Sequence, residues 1–377
     1  MTELSWQDDS ANEAFRLWNA VPRKLRHVGA LQIRRLSGNS LESCHSILRS
    51  LFMLFPRFDS IGLPMLMGAV TWLASTLSAQ SQVPELKTGP NQSFQGKTLF
   101  PANDPWNQDI SKEPVDADSA AILATMGLNK PLHPDFGTVW NGAPSGIPYV
   151  IVDGKQPKVP VKFEYQDESD PGPYPIPPAA PIEGGAGSDG DRHVLVVDKD
   201  AWKLYELWHA KTVDGGKTWQ AGSGAIFDLT KPSVQRPKGW TSADAAGLPV
   251  LPGLVRYDEV VEQKAVRHAL RFTVVKTRHA YIHPATHFAS RKNDPNLPPM
   301  GMRVRLKAGF DISKFSPNIQ VILNAMKTYG MILADNGSDW FVSGAPDPRW
   351  SDDELNTMRR VKGSDFEVLK MGEMTVK

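Results

Sequence analysis

Cysteine is almost missing from this chain, with Cys44 the single one in 377 residues. Cys44 falls in a stretch expected to be removed. The working part of the protein then has no disulfide, no thiolate metal site and no cysteine nucleophile. A chain without cross-links must be held by its core, and 41% hydrophobic residues supply one. Net charge is missing too. Forty-two basic residues against forty-one acidic ones leave +1, so no overall field favours nucleic acid or an anionic membrane, and neither is expected as a partner. Several catalytic signatures are also lacking. There is no Gly-rich phosphate loop, GxSxG elbow, HExxH or paired CxxC, which disfavours nucleotide enzymes, α/β-hydrolases and zincins. GSGAIF at 222–227 reads as a turn entering a strand. No cofactor and no metal are expected.

Turn formers and aromatics are plentiful instead. Thirty-one Pro, thirty Gly and eleven Trp suit a β-sandwich better than a helical bundle. Trp rings fill cores, and they also offer flat faces that match the C–H face of a sugar.

Residues 61–79, IGLPMLMGAVTWLASTLSA, carry no charge and are followed by polar sequence, as in the h-region and cleavage zone of a signal peptide. An uncleaved anchor is the competing reading, because a spanning helix needs roughly 17–25 apolar residues. Residues 1–60 are long for a leader, and Met53, Met65 and Met67 offer internal starts. They read as an over-called gene start or a leader. The protein is expected to be secreted or periplasmic and, after cleavage, free of the membrane.

Residues 80–99 read as a linker, and 100–368 as a single β-rich domain. PYVIVD (148–153) and VPVKFEY (159–165) look like a hairpin. The Pro/Gly stretch 168–190 is too rich in breakers to form an element, and Tyr174 and Ile176 look like its anchors. HVLVVD, WKLYELW, AIFDL, LRFTVVK, AYIH and RVRLKA follow as short strands. One clear helix begins after Ser316 with Pro317, presents Ile319, Ile322, Leu323, Met326 and Tyr329 on one face, and stops at Gly330. Ser351 and Glu354 form a capping box for another. Together these predict a mainly β protein, an antiparallel sandwich or jelly roll with a few short helices.

The motifs GDRHVLVVD, RHALRF and NAMKTYGMILADNGS resemble those of a group of exported bacterial proteins with no established activity. The resemblance spans about residues 98–368 and leaves residues 1–60 outside. It implies one β-rich domain and no particular reaction.

The densest polar cluster begins at Asp191, Arg192 and His193, at the mouth of a strand. In the next strand Glu206 shares a face with Leu204 and Trp208. It is either salt-bridged, for example to Arg271 or Arg303, or a general acid with a raised pKa. Asp244 either caps a tight loop or is the second carboxylate of a pair at glycosidase spacing. His268 shares a face with Leu270 and Phe272, as a bonded core residue or, with His193, as a general base or metal pair. His283 and His287 are four apart, but Pro284 prevents the helix that would align them. Arg303, Arg305 and Lys307 line one strand face, solvated or facing an acidic polysaccharide. Asp335 ends a strand before a turn, with Trp340 beyond it as a possible sugar platform.

These residues lead to a secreted, monomeric carbohydrate-active enzyme acting on an extracellular polysaccharide. The first reading is a glycoside hydrolase with Glu206 and Asp244 or Asp335 as acids, His193 and His268 as orienting groups, and Asp191, Arg271, Arg303, Arg305, Tyr257 and Trp340 binding substrate. A lyase using His193 or His268 with Tyr257 and the Arg303 row is the second. A non-catalytic glycan-binding surface protein is the third.

Overall fold

In the run from Val194 to Trp208, strands Val194–Asp198 and Lys203–Trp208 pair antiparallel, with Val194 opposite Leu207. Asp198 shapes the bend, its carboxylate accepting the N–H groups of Asp200 and Ala201 at 3.0 and 2.9 Å. Leu195, Val197 and Leu204 face a large core, while Val194, Val196, Tyr205 and Leu207 face a smaller one. Burial on both faces explains why these strands read as continuous apolar runs.

This computed structural model describes residues 85–376, within a compact unit spanning Val83–Lys377. The start, the h-region and Cys44 lie outside the described residues. Among those described, no helix is long and apolar enough to cross a membrane.

The doubly buried sheet has five strands in the order Gly89–Pro90, Tyr149–Val152, Val194–Asp198, Lys203–Trp208 and Ser223–Asp228. Two expectations are corrected here. Tyr149–Val152 forms no hairpin with the run after it, but pairs in parallel with Val194–Asp198. All four of its residues are buried, which demands a place inside a sheet. Val161–Phe163 instead joins Thr218–Ala221 and Lys211–Val213 in a three-stranded sheet. Residues 89–99 are no linker: Phe94 is buried and stacks on Tyr149 at 5.4 Å. The outer face of the five-stranded sheet is covered by Trp219 and by Tyr174 and Ile176 of the Pro/Gly stretch, both fully buried.

A second sheet runs Phe366–Val368, Arg303–Leu306, Met331–Asn336, Leu270–Val274, Phe341–Ser343 and His133–Asp135. It is mixed rather than antiparallel, since Leu270–Val274 lies parallel to Met331–Asn336 and Phe341–Ser343 to His133–Asp135. Parallel neighbours need a crossover, and the path between the first two contains the helix Pro317–Thr328. That helix buries Ile319, Ile322, Leu323 and Met326 as its periodicity predicts. The Ser316 hydroxyl donates to Glu354 rather than capping it. Gly330 has φ +71°, and a Cβ there would lie 2.5 Å from the Val304 carbonyl oxygen, so the turn requires glycine. The fold is thus mainly β with a few short helices. Both large sheets contribute to one core, through Tyr149, Leu195 and Phe227 from the first and Phe272, Val304 and Leu333 from the second.

Candidate active site

Arg271 lies on the face of its strand opposite Leu270 and Phe272, where its charge must be matched locally. Its side chain is only 5% exposed. Nε and Nη2 donate to the two Asp244 oxygens, each at 2.8 Å, and Nη1 donates to the Ser343 hydroxyl at 2.6 Å. Nη2 also reaches Asp335 Oδ2 at 3.4 Å. The register of the two parallel strands shifts between Phe272 and Thr273. Such an irregularity re-aims nearby side chains, and Asp335 follows it. The Asp335 side chain keeps 20% exposure. Burial, and then the negative charge of Asp244, push its pKa up to about 7 against the pull of Arg271.

Asp244 belongs to a loop held from behind by two groups expected to do chemistry. Glu206 is completely buried, accepting the Val250 N–H on both oxygens and the Leu251 N–H at 2.9 Å. Burial raises its pKa to about 7, against the lowering effect of those backbone bonds. It fastens the loop and has no path to a substrate, which corrects its assignment as the acid. His193 is 1% exposed, with Nδ1 2.6 Å from Glu183 Oε2 and Nε2 2.9 Å from the Ala243 carbonyl oxygen. Both ring nitrogens face acceptors, so both carry protons. Burial opposes that charge, but the Glu183 carboxylate prevails and lifts the pKa to about 9. With no free lone pair, His193 positions the loop and is not a base.

In front of Asp244 opens a cavity of about 390 Å³. Its lining includes Asp335, Asp244, Asp191, Glu168, His287, Tyr165 and Trp208. Asp191 is exposed at the rim, its carboxylate accepting the Trp208 indole N–H at 3.2 Å. Tyr165 lies 6.4 Å from Trp208, tilted by 33°. His287 Nδ1 is 2.8 Å from the Ala245 carbonyl oxygen, and its other nitrogen is 4.0 Å from Glu168. At the end of the neighbouring edge strand, Asp135 pairs with Ser343. Asp135 is exposed there, and the nearby charges of Glu183 and Asp191 raise its pKa. A hollow of about 440 Å³ beside Glu85, Phe94, Lys97 and Lys199 is larger, but no such group of acids converges there.

Six predicted residues therefore gather here: Asp191, Asp244 and Asp335 line the cavity, Arg271 binds two of them from within the sheet, and Glu206 and His193 hold the loop from behind. The others are elsewhere. His268 is buried against Glu259 at 3.1 Å and the Ala269 carbonyl oxygen at 2.8 Å. Tyr257 carries the Arg349 guanidinium over its ring at 4.1 Å in a separate hollow. Arg303 and Arg305 are neither solvated nor facing ligand, because their strand lies inside the sheet under residues 105–113. Arg303 donates to the Pro105 carbonyl oxygen, and burial lowers its pKa to about 10. Arg305 donates to Glu367 at 2.9 and 2.6 Å and to the Ile110 carbonyl oxygen at 2.6 Å. Trp340 is no platform. It is fully buried between Phe272 and Phe366, with its N–H on the Met126 carbonyl oxygen at 3.1 Å.

Tyr165, Glu168, Trp208 and His287 were not among the expected site residues. Trp208 was legible only as a strand end, and His287 only as half of a spaced pair. No family model matches this chain, and neither does any curated protein or solved structure.

Proposed function

We propose that this protein is an exported glycoside hydrolase whose active site is the cavity between Asp335, Asp191 and Trp208. One observation carries the reading: Asp335 is partly open to the cavity, beside a second carboxylate and two aromatic rings, in surroundings that raise its proton affinity. In this mechanism the protonated Asp335 donates to the glycosidic oxygen as the bond to the anomeric carbon breaks. Asp191 accepts a proton from the attacking water, or itself attacks the anomeric carbon and is released by water in a second step. The separation of the two acids selects between these courses. Trp208 and Tyr165 stack against the sugar. Arg271 and Asp244 hold Asp335 in place and set its proton affinity.

The same reading treats the two large sheets as a sandwich-like scaffold, residues 61–79 as the export signal, and the protein as a monomer outside the cytoplasm. Lyase chemistry lacks its motive here, because Arg303, Arg305 and Tyr257 lie away from the cavity. The test is a polysaccharide panel read for new reducing ends and for the ultraviolet absorbance of unsaturated products. Reducing ends without that absorbance support hydrolysis. Both together would mean elimination, and binding without cleavage would mean a glycan-binding protein; either result overturns the proposal.

A further inference from the structure

The most exposed large hydrophobic side chain among the described residues is Trp140, at 71%, and Val139 beside it is 61% exposed. They sit on a short hairpin in which Val139 pairs with Pro144 and Trp140 with Ala143. Asn141 and Gly142, with φ 49° and 80°, supply the two left-handed residues that a tight two-residue hairpin turn needs. The base is anchored: the Asp352 carboxylate accepts the Thr138 N–H at 2.9 Å and also its hydroxyl, and Gly137 N–H donates to the Ser145 carbonyl oxygen at 3.0 Å. The chain thus builds a firm support for an indole and a valine held side by side in water, a face that a ligand with an apolar surface can cover.

Its place in the fold indicates what does. The strand leading to the hairpin ends at Asp135, paired with Ser343, whose hydroxyl accepts from Arg271, the partner of Asp244. On the other side the hairpin meets the 183–188 turn, where a Cβ on Gly185 would lie 3.6 Å from Ala143 Cβ. Arg192 ties that turn down through the Ala186 and Ser188 carbonyl oxygens at 3.0 and 2.6 Å. The turn also carries Glu183, the partner of His193. Asp135 lies close enough to Glu183 and Asp191 for their charges to act on it, so the hairpin that follows Asp135 stands on the Glu183 side of the cavity, and Trp208 with Tyr165 on the Asp191 side.

We infer that a linear, neutral polysaccharide lies along this rim, with Trp140 as a distal subsite several sugars from the bond that is cut. The inference rests on the hydrolase reading and narrows it. Rings on both sides suit the apolar faces of sugars, and the Asp135 and Asp191 carboxylates accept hydrogen bonds from hydroxyls while repelling uronates.

The test uses the purified protein with disaccharides and hexasaccharides of β-glucan, xylan, mannan and chitin, and with an oligogalacturonate. A neutral hexasaccharide is expected to have a lower KM than its disaccharide. In Trp140→Ala that advantage shrinks roughly tenfold through KM rather than kcat, with an unchanged melting temperature, and Trp140→Phe restores most of it. An unaltered hexasaccharide advantage in Trp140→Ala, or a preference for the oligogalacturonate, overturns this inference and leaves the hydrolase reading standing. If the wild-type protein neither cleaves nor binds any of these sugars, both fall together.

Discussion

A carboxyl group donates a proton near neutrality only if its surroundings favour the neutral form, and at Asp335 burial and Asp244 outweigh Arg271. Catalysis that needs the protonated acid is therefore expected to fall as pH rises through about 7. Asp335→Asn is expected to lower kcat by roughly a hundredfold or more. Reducing-end release measured across pH checks both, and an alkaline limb that survives in the Asn variant would remove Asp335 from the role. His193 gives the opposite linkage. Its folded pKa of about 9 exceeds its ordinary 6.5, so the stability it contributes is complete below about 6.5 and is lost as pH rises through about 9. Glu183→Gln breaks the pair and is expected to cost roughly 3 kcal/mol below that window and little above it. Denaturant unfolding at a pH on either side of the window measures the difference.

At the level of elements, the helix Pro317–Thr328 was readable because a 3.6-residue stripe with Pro at its start and Gly after its end has few other solutions. The exit turn admits no side chain. Gly330→Ala, forced against the Val304 carbonyl at positive φ, is expected to cost about 1–3 kcal/mol, and Leu323→Ala about 2–5 kcal/mol through the cavity it leaves. Equilibrium unfolding curves would read both, and a neutral Gly330→Ala would mean that the turn relaxes. Strand pairing was far less legible. PYVIVD and VPVKFEY look like hairpin arms, yet burial on both faces sends the first to the middle of one sheet and the second to another. The site suffered similarly. Asp244, Asp335 and Arg271 were identifiable by type, but not the fork that joins two of them. Nor could the pattern separate the enclosed Glu206 from the open Asp335, because access depends on the loop between Thr241 and Gly253 that no local rule places.

Across the whole molecule, the buried acids leave a common mark on stability. Glu206 and Asp335 both titrate near 7 when folded, against ordinary values of 4.5 and 3.8. Between these limits the native state binds more protons than the unfolded chain, so these two groups make stability decline as pH rises from about 4 to about 7. Glu206→Gln deletes one such contribution, and its melting temperature is expected to fall less steeply over that range. A slope identical to that of the wild type would mean that Glu206 stays ionised. The boundary of the five-stranded sheet has a different consequence. Gly89 and Pro90 form its outermost strand, and proline has no N–H to offer a further strand. Pro90 thus limits what this edge can pair with. A chain trimmed to start at residue 100 would lose this strand together with Phe94, baring the Tyr149–Val152 backbone to a second copy and inviting aggregation.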